Sequence, residues 1–177
     1  KIQENTHEID EIIKMIISAR KNKKTIFTMG NGGSGSTASH FVSDLQKTVI
    51  VKNENRIKAI SLVDNIPVIL AWSNDVSFDK IFEEQLKNQI EKNDIVIAFS
   101  GSGKSKNVVN ALKIAKKMGA KCIGFTGKNK GSFDSICDIT FKIPSNDMLT
   151  IESQHITICH CIASTIRNLG KPMFEYD

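Results

Sequence analysis

The chain has 177 residues, of which 40% are hydrophobic and 24% charged, and a formal net charge of +5 at pH 7. A chain of that length is expected to fold as one domain, burying roughly two-thirds of the surface its unfolded form exposes. It has no secretory h-region and no apolar run near the roughly 20 residues that span a bilayer, its lysines are spread and not massed, and one Trp and one Tyr make no ladder for stacked bases. A soluble, cytoplasmic protein that binds neither membrane nor nucleic acid is the expectation.

In chain order, "HEIDEIIKMIISARKNKK" sets Ile9, Ile12, Ile13, Ile16 and Ile17 at helical spacing between charges. That spacing predicts an amphipathic helix over about residues 5–22. Five short, β-rich apolar runs follow: "TIFTM", "IKAISLV", "DIVIAFS", "KCIGFTG" and "ITFKI". Between them, helices are expected at Gly35 to Lys47, Ile66 to Ala71, Phe78 to Ile90, Ser105 to Met118 and Ser132 to Ile136, with a last one from Met148 to Asn168. Strands alternating with helices argue for a parallel sheet covered on both faces. The fold class is therefore α/β, a three-layer αβα sandwich. One domain is expected over residues 1–177, with an α/β core at about 25–145, a closing helix at about 148–168 and an irregular insertion at "TVIVKNENR". Phe78, Phe82 and Leu86 recur at helical spacing and read as core. The four cysteines lack paired C-x-x-C spacing, so neither a disulfide framework nor a zinc finger is indicated. Apolar company marks Cys122, Cys159 and Cys161 as buried thiols.

Two loops carry chemistry. The first, "IFTMGNGGSGSTASHFVSDL", sets Gly30, Gly32 and Gly35 in the pattern G-x-G-x-x-G between a strand and a helix, which is the dinucleotide fingerprint. The acidic residue that holds the ribose should follow about 20 positions later. Here the second strand ends only at Asp64, roughly 34 residues on, so a nicotinamide or other nucleotide is not indicated. The second loop, "AFSGSGKS", ends like a Walker loop, but Ala98 stands where the leading glycine belongs. What it offers is the hydroxyls of Ser100, Ser102 and Ser105 at a helix start, where backbone N–H groups and the helix dipole attract an anion. It reads either as a seat for one phosphate or as a serine cap with a turn.

Taken in order, "GNGGSGSTASHFVSD", "SNDVSFD", "SGSGKS" and "IESQHITICH" resemble the sugar isomerase (SIS) domain family, and within it the phosphoheptose isomerases. The resemblance covers about residues 5–168. It implies a flavodoxin-like or Rossmann-like fold with a five-stranded parallel sheet, assembled as a homotetramer with active sites between subunits. It implies interconversion of sedoheptulose 7-phosphate and D-glycero-D-manno-heptose 7-phosphate, serving lipopolysaccharide, S-layer or capsule heptoses. Carried over by position, substrate contacts fall on Asn31, Gly32, Gly33, Asn74 and Asp75. The phosphate loop falls on Ser100, Gly101, Ser102 and Ser105, and the metal and acid/base positions fall on His40, Asp44, Glu152 and His160. Asp44 stands where the family has glutamate, and Glu152 where it has glutamine.

Moving a proton between neighbouring sugar carbons through an enediol needs a base, an acid and a group that steadies the oxyanion. His40 and Asp44 are one helical turn apart. Glu152 and His160 differ by about 80° around a helix, so both can look into one cleft. The resemblance makes Asp44 or Glu152 the base and His160 the acid, and some relatives hold one Zn²⁺ on the four positions. His155, about 140° from His160, reads as structural or as a subunit contact, and His7 as solvated. A non-catalytic SIS module that binds a sugar phosphate or a protein, or an isomerase of another phosphosugar, is the alternative.

Overall fold

The structure, a computed structural model, describes residues 6–174. In order come α1 (Thr6–Lys21), β1 (Thr25–Gly30), α2 (Gly33–Ser43), β2 (Lys58–Ser61), α3 (Ile66–Asp75) and α4 (Glu83–Lys87). β3 (Ile95–Phe99), α5 (Lys106–Lys117), β4 (Lys121–Thr126), α6 (Phe133–Ile136), β5 (Ile139–Lys142) and α7 (Met148–Asn168) complete the chain. The predicted start of the first helix at residue 5 lies outside the described residues.

Successive strand side chains point to opposite faces, so each central strand serves two cores. Ile95, Ile97 and Phe99 of β3 pack with Ile16 of α1, Phe41 of α2 and Ile162 of α7. Val96 and Ala98 pack on the other face with Leu86 of α4 and Leu112 of α5. Burial on both faces is why these strands read as unbroken apolar runs. The sheet order is β2-β1-β3-β4-β5, with every neighbouring pair parallel. Such an order reverses direction between β1 and β3, and the loops leaving those strands part to open a crevice. They are the glycine loop and the serine loop.

Several expectations shift. α2 starts at Gly33, two residues early, and after Ser43 it widens into a π turn, Asp44–Thr48, in which the Val49 N–H donates to the Asp44 carbonyl at 3.1 Å. α3 runs past Ala71 to Asp75 because Asn65 caps it, accepting from the Val68 N–H at 3.4 Å, and nothing breaks its later turns. The single helix predicted from Phe78 to Ile90 is broken instead. Ser77 Oγ accepts from the Asp79 N–H at 3.0 Å and starts a 3₁₀ turn, Phe78–Lys80, before α4. Phe82 and Leu86 are core as expected, but that break leaves Phe78 52% exposed. Cys159 is buried and Cys161 exposed, since neighbours on a helix cannot share its inner face, and all four cysteines are free. α3 has no buried residue, and Ile66 and Leu70 are exposed on it.

His155 is fully buried between Phe99 and Phe125, with ring centroids 5.9 and 5.8 Å away. Burial pushes its pKa down to about 4, against the opposing effect of its Nε2 hydrogen bond to the Thr126 carbonyl. The unfolded chain binds a proton near pH 6.5 that the fold refuses until about pH 4, so this group removes stability as pH falls through that window. Urea unfolding should show a loss of about 3 kcal/mol between pH 7 and pH 4, steepest below 6.5. His155→Phe should flatten that loss; an equal loss in the variant would exclude His155 as its source.

Candidate active site at the sheet switch point

At the end of β1 the chain must turn sharply into α2. Gly32 takes φ +54° as the residue before the helix, and its carbonyl accepts the Ser36 N–H at 3.0 Å. A methyl group on Gly30 would lie 2.6 Å from the Ser34 backbone, and one on Gly35 2.9 Å from the Gly30 carbonyl oxygen. The glycine pattern therefore seats the helix tightly on the strand, and Asp64, past the end of β2, is exposed in a hollow with Gln46 and Pro67. Gly33 has a different task, since any methyl there would collide with the Glu152 carboxylate. Glu152 reaches from α7 to the first turn of α2, the end of the helix dipole that favours an anion.

Across the crevice, the serine loop folds on itself. Ser100 Oγ lies 3.2 Å from Ser105 Oγ and 3.4 Å from Ser102 Oγ. Ser105 is the residue before α5, yet its hydroxyl makes no capping bond to the helix. The cap explanation of this serine thus fails, and its hydroxyl stays with the other two, beside the first N–H groups of α5. A hollow of about 270 Å³ is lined by Ser100, Gly101, Ser102 and Ser105, by Asn31, Gly32 and Gly33, and by Met148 and Glu152. Gly101 admits Met148, whose sulfur would sit 2.5 Å from a methyl there. An adjoining cleft of about 620 Å³ shares Asn31 and Gly32, and its walls include His40, Ser39 and Phe78. Both volumes fall in or near the range of small-molecule sites.

The third feature is a cluster at the α2–α7 contact. His40 Nε2 and His160 Nε2 are 2.9 Å apart, and Asp44 Oδ2 lies 3.6 Å from the first and 3.7 Å from the second. Thr48, in the π turn, donates to Asp44 Oδ1 at 3.0 Å, whereas Asp44 Oδ2 is buried with no hydrogen-bond partner. Three donor atoms turned on one point, one of them an orphaned carboxylate oxygen, fit a small cation. Ligands held about 2.1 Å from a tetrahedral ion sit roughly 3.4 Å apart. Among the described residues this is the group of metal-ligating side chains that converges so closely.

Of the expected set of four, His40, Asp44 and His160 converge, and Glu152 stands apart from them. The 80° between Glu152 and His160 permits a shared side of α7, but eight residues also separate them by about 12 Å along the axis. Glu152 accordingly lines the serine hollow, and His160 meets His40. Asn74 and Asp75 end α3, exposed, with Asn74 Nδ2 donating to Asp75 Oδ1 at 2.8 Å, and neither lines the two hollows. Ser77 caps the following turn. Sequence reasoning passed over Asn107, which is 2% exposed and paired side chain to side chain with Asn31, and Met148, which roofs the serine loop. A polar residue two positions after a loop serine is common, so spacing alone does not mark Asn107.

Residues 1–127 match the SIS domain family. The chain is 37% identical over 170 residues to a phosphoheptose isomerase of Aliarcobacter butzleri, covering 95% of this chain and 89% of that protein. It is 35% identical over 159 residues to the phosphoheptose isomerase of Citrifermentans bemidjiense, covering 89% and 82%. The solved structure of a phosphoheptose isomerase from Francisella tularensis superposes with a TM-score of 0.85 at 29% identity, over 91% of this chain and 85% of that one. With a switch-point crevice flanked by a glycine loop and a serine loop, this chain belongs to the SIS domain family and, within it, to the phosphoheptose isomerases.

Proposed function

We propose that the protein is an aldose–ketose isomerase that interconverts sedoheptulose 7-phosphate and D-glycero-D-manno-heptose 7-phosphate, supplying heptose for bacterial surface polysaccharide. The observation that carries this reading is the adjacency of the uncapped serine hydroxyls to a carboxylate and a histidine cluster around one shared turn, Asn31–Gly32. The serine loop holds the phosphate of the substrate by O–H and N–H donors. With that end fixed, C1 and C2 lie along the Asn31–Gly33 turn. Glu152, already at the hollow, takes the carbon-bound proton, and His160 hands a proton to oxygen as the enediol collapses. Asp44 Oδ1 accepts from Thr48 and its Oδ2 faces the two histidines at 3.6 and 3.7 Å, where it would meet the cation, which leaves Glu152 the better placed base.

His40, Asp44 and His160 would hold one Zn²⁺, and three protein ligands leave an open position of the kind catalytic sites keep. When bound, such an ion polarises a carbonyl as a Lewis acid. A homotetramer is part of the reading, supported by the exposed apolar Ile66, Leu70 and Val76 and by Phe78, which is both exposed and a wall of the cleft. Asn74 and Asp75, remote from the hollows of one chain, would serve substrate only across such an interface. A phosphorylated substrate that does not cross membranes sets the site of action in the cytoplasm.

The test is to follow the C1 and C2 protons of sedoheptulose 7-phosphate by NMR in D₂O, with metal-free protein and with added Zn²⁺. Deuterium uptake with the aldose appearing is expected; no uptake in either condition would remove the reading. Glu152→Gln, which restores the family's usual residue, should lower turnover more than a hundredfold by removing the base. If that variant retains the parent rate, Asp44 is the base.

A further inference from the structure

Asn107 touches neither hollow, yet it sits at the point where the two loops meet. Its Nδ2 donates to Asn31 Oδ1 at 2.8 Å, and Asn31 Nδ2 donates back to Asn107 Oδ1 at 3.0 Å. An isolated asparagine pair could turn both amides over and keep both bonds. Here it cannot, because Asn107 Oδ1 also accepts the Val108 N–H at 3.0 Å. That N–H is one of the donors left without an intrahelical acceptor at the start of α5. The backbone of α5 thus fixes which end of Asn107 is oxygen, and Asn107 in turn fixes which end of Asn31 is nitrogen.

We infer that Asn107 is a positioning residue: through the reciprocal amide pair it locks the orientation of Asn31 in the glycine turn and ties that turn to the serine loop. Asn31 lines both hollows. One N–H and one lone pair of its amide are used by Asn107, so the remaining N–H and lone pair face the sugar in a set order, donor and acceptor never exchanged. Asn107 is 2% exposed, so water does not compete for the pair. The inference rests on the proposed isomerase reading, in which Asn31 lies along C1 and C2. A misaligned amide there weakens contacts that matter during proton transfer more than it weakens capture of the phosphate.

The experiment compares Asn107→Leu and Asn107→Asp with the parent in sedoheptulose 7-phosphate turnover and in the Kd for inorganic phosphate. Asn107→Leu, which removes both bonds, should lower kcat 10- to 100-fold, an order set by the sensitivity of rate to about 1 Å of misplacement. KM and the phosphate Kd should change less than about threefold. Asn107→Asp keeps the acceptor for Val108 and for Asn31 Nδ2 but faces Asn31 Oδ1 with a second oxygen, and should fall by less. Asn31→Ala combined with Asn107→Leu should be no slower than Asn31→Ala alone, because the two residues act as one unit.

An unchanged kcat in either variant, additive losses in the double variant, or a loss confined to the phosphate Kd would overturn the inference. Should Asn107→Leu fail to fold, Asn107→Asp decides. A parent protein that turns over nothing overturns the isomerase reading instead, and the side-chain amide signals of Asn31 in ¹⁵N-labelled protein then decide the positioning role. They should move on Asn107→Asp, and signals that stay in place would refute it.

Discussion

Replacing His160 by alanine should lower turnover about a thousandfold, within the range that one general acid contributes, while leaving the melting temperature nearly unchanged. In the proposed reaction His160 carries the oxygen proton, and it is the side chain by which α7 joins His40 of α2 and Asp44 of the π turn. Its side chain is 55% exposed, so its removal leaves no buried cavity and no orphaned partner in the core. Affinity for Zn²⁺, measured by titration calorimetry, should fall in the same variant, because only two of the three proposed ligands remain. A non-catalytic module that binds a sugar phosphate would keep its full ligand affinity and show no rate to lose. An unaltered rate in His160→Ala would therefore sink both the acid assignment and the cluster as a working centre.

Gly30→Ala should have the largest effect on stability. Its new methyl group would lie 2.6 Å from the Ser34 carbonyl carbon and oxygen and 2.9 Å from Ser34 Cβ. The two nearest are backbone atoms in the first turn of α2, which cannot swing aside as a side chain can, so helix and strand must part. Overpacking in a core costs about 1–3 kcal/mol when side chains yield. Here about 3 kcal/mol or more is expected, a fall of roughly 10 °C in melting temperature for a chain of this size. Gly32→Ala is the comparison: it has φ +54° but nothing within 4 Å of an added methyl, so only the left-handed backbone is penalised, by about 1–2 kcal/mol. If the two variants melt together, the tight seat at Gly30 is not what the glycine pattern serves.

These two residues differ in how far sequence could reach them. His40 and Asp44 lie one turn apart on one predicted helix, so their convergence followed from helical period. Gly30 could be placed at a strand end, and the spacing to Asp64 already argued against a dinucleotide there, but what the glycine serves instead was not legible. The distances that show it, to Ser34 and from Gly35, belong to the packing of α2 on β1. Glu152 shows a different limit. Angular spacing lets it share a side of α7 with His160, and the rise along α7 sets it against Gly33 and the serine hollow. Periodicity reports direction around an axis and is silent on depth along it.

By itself the sequence determined the α/β class, the five strands, the closing helix and the two loops, because strand and helix periods and turn residues are local properties. It also determined the types of side chain available for proton transfer. Only the tertiary structure decided their partition. The β2-β1-β3-β4-β5 order brings loops about 70 residues apart to one crevice. Packing of α7 on α2 turns His160 toward His40 and Asp44, and the pairing of Asn31 with Asn107 joins the two loops. Each of these depends on contacts between segments distant in the chain, and no local pattern encodes which distant partner will arrive.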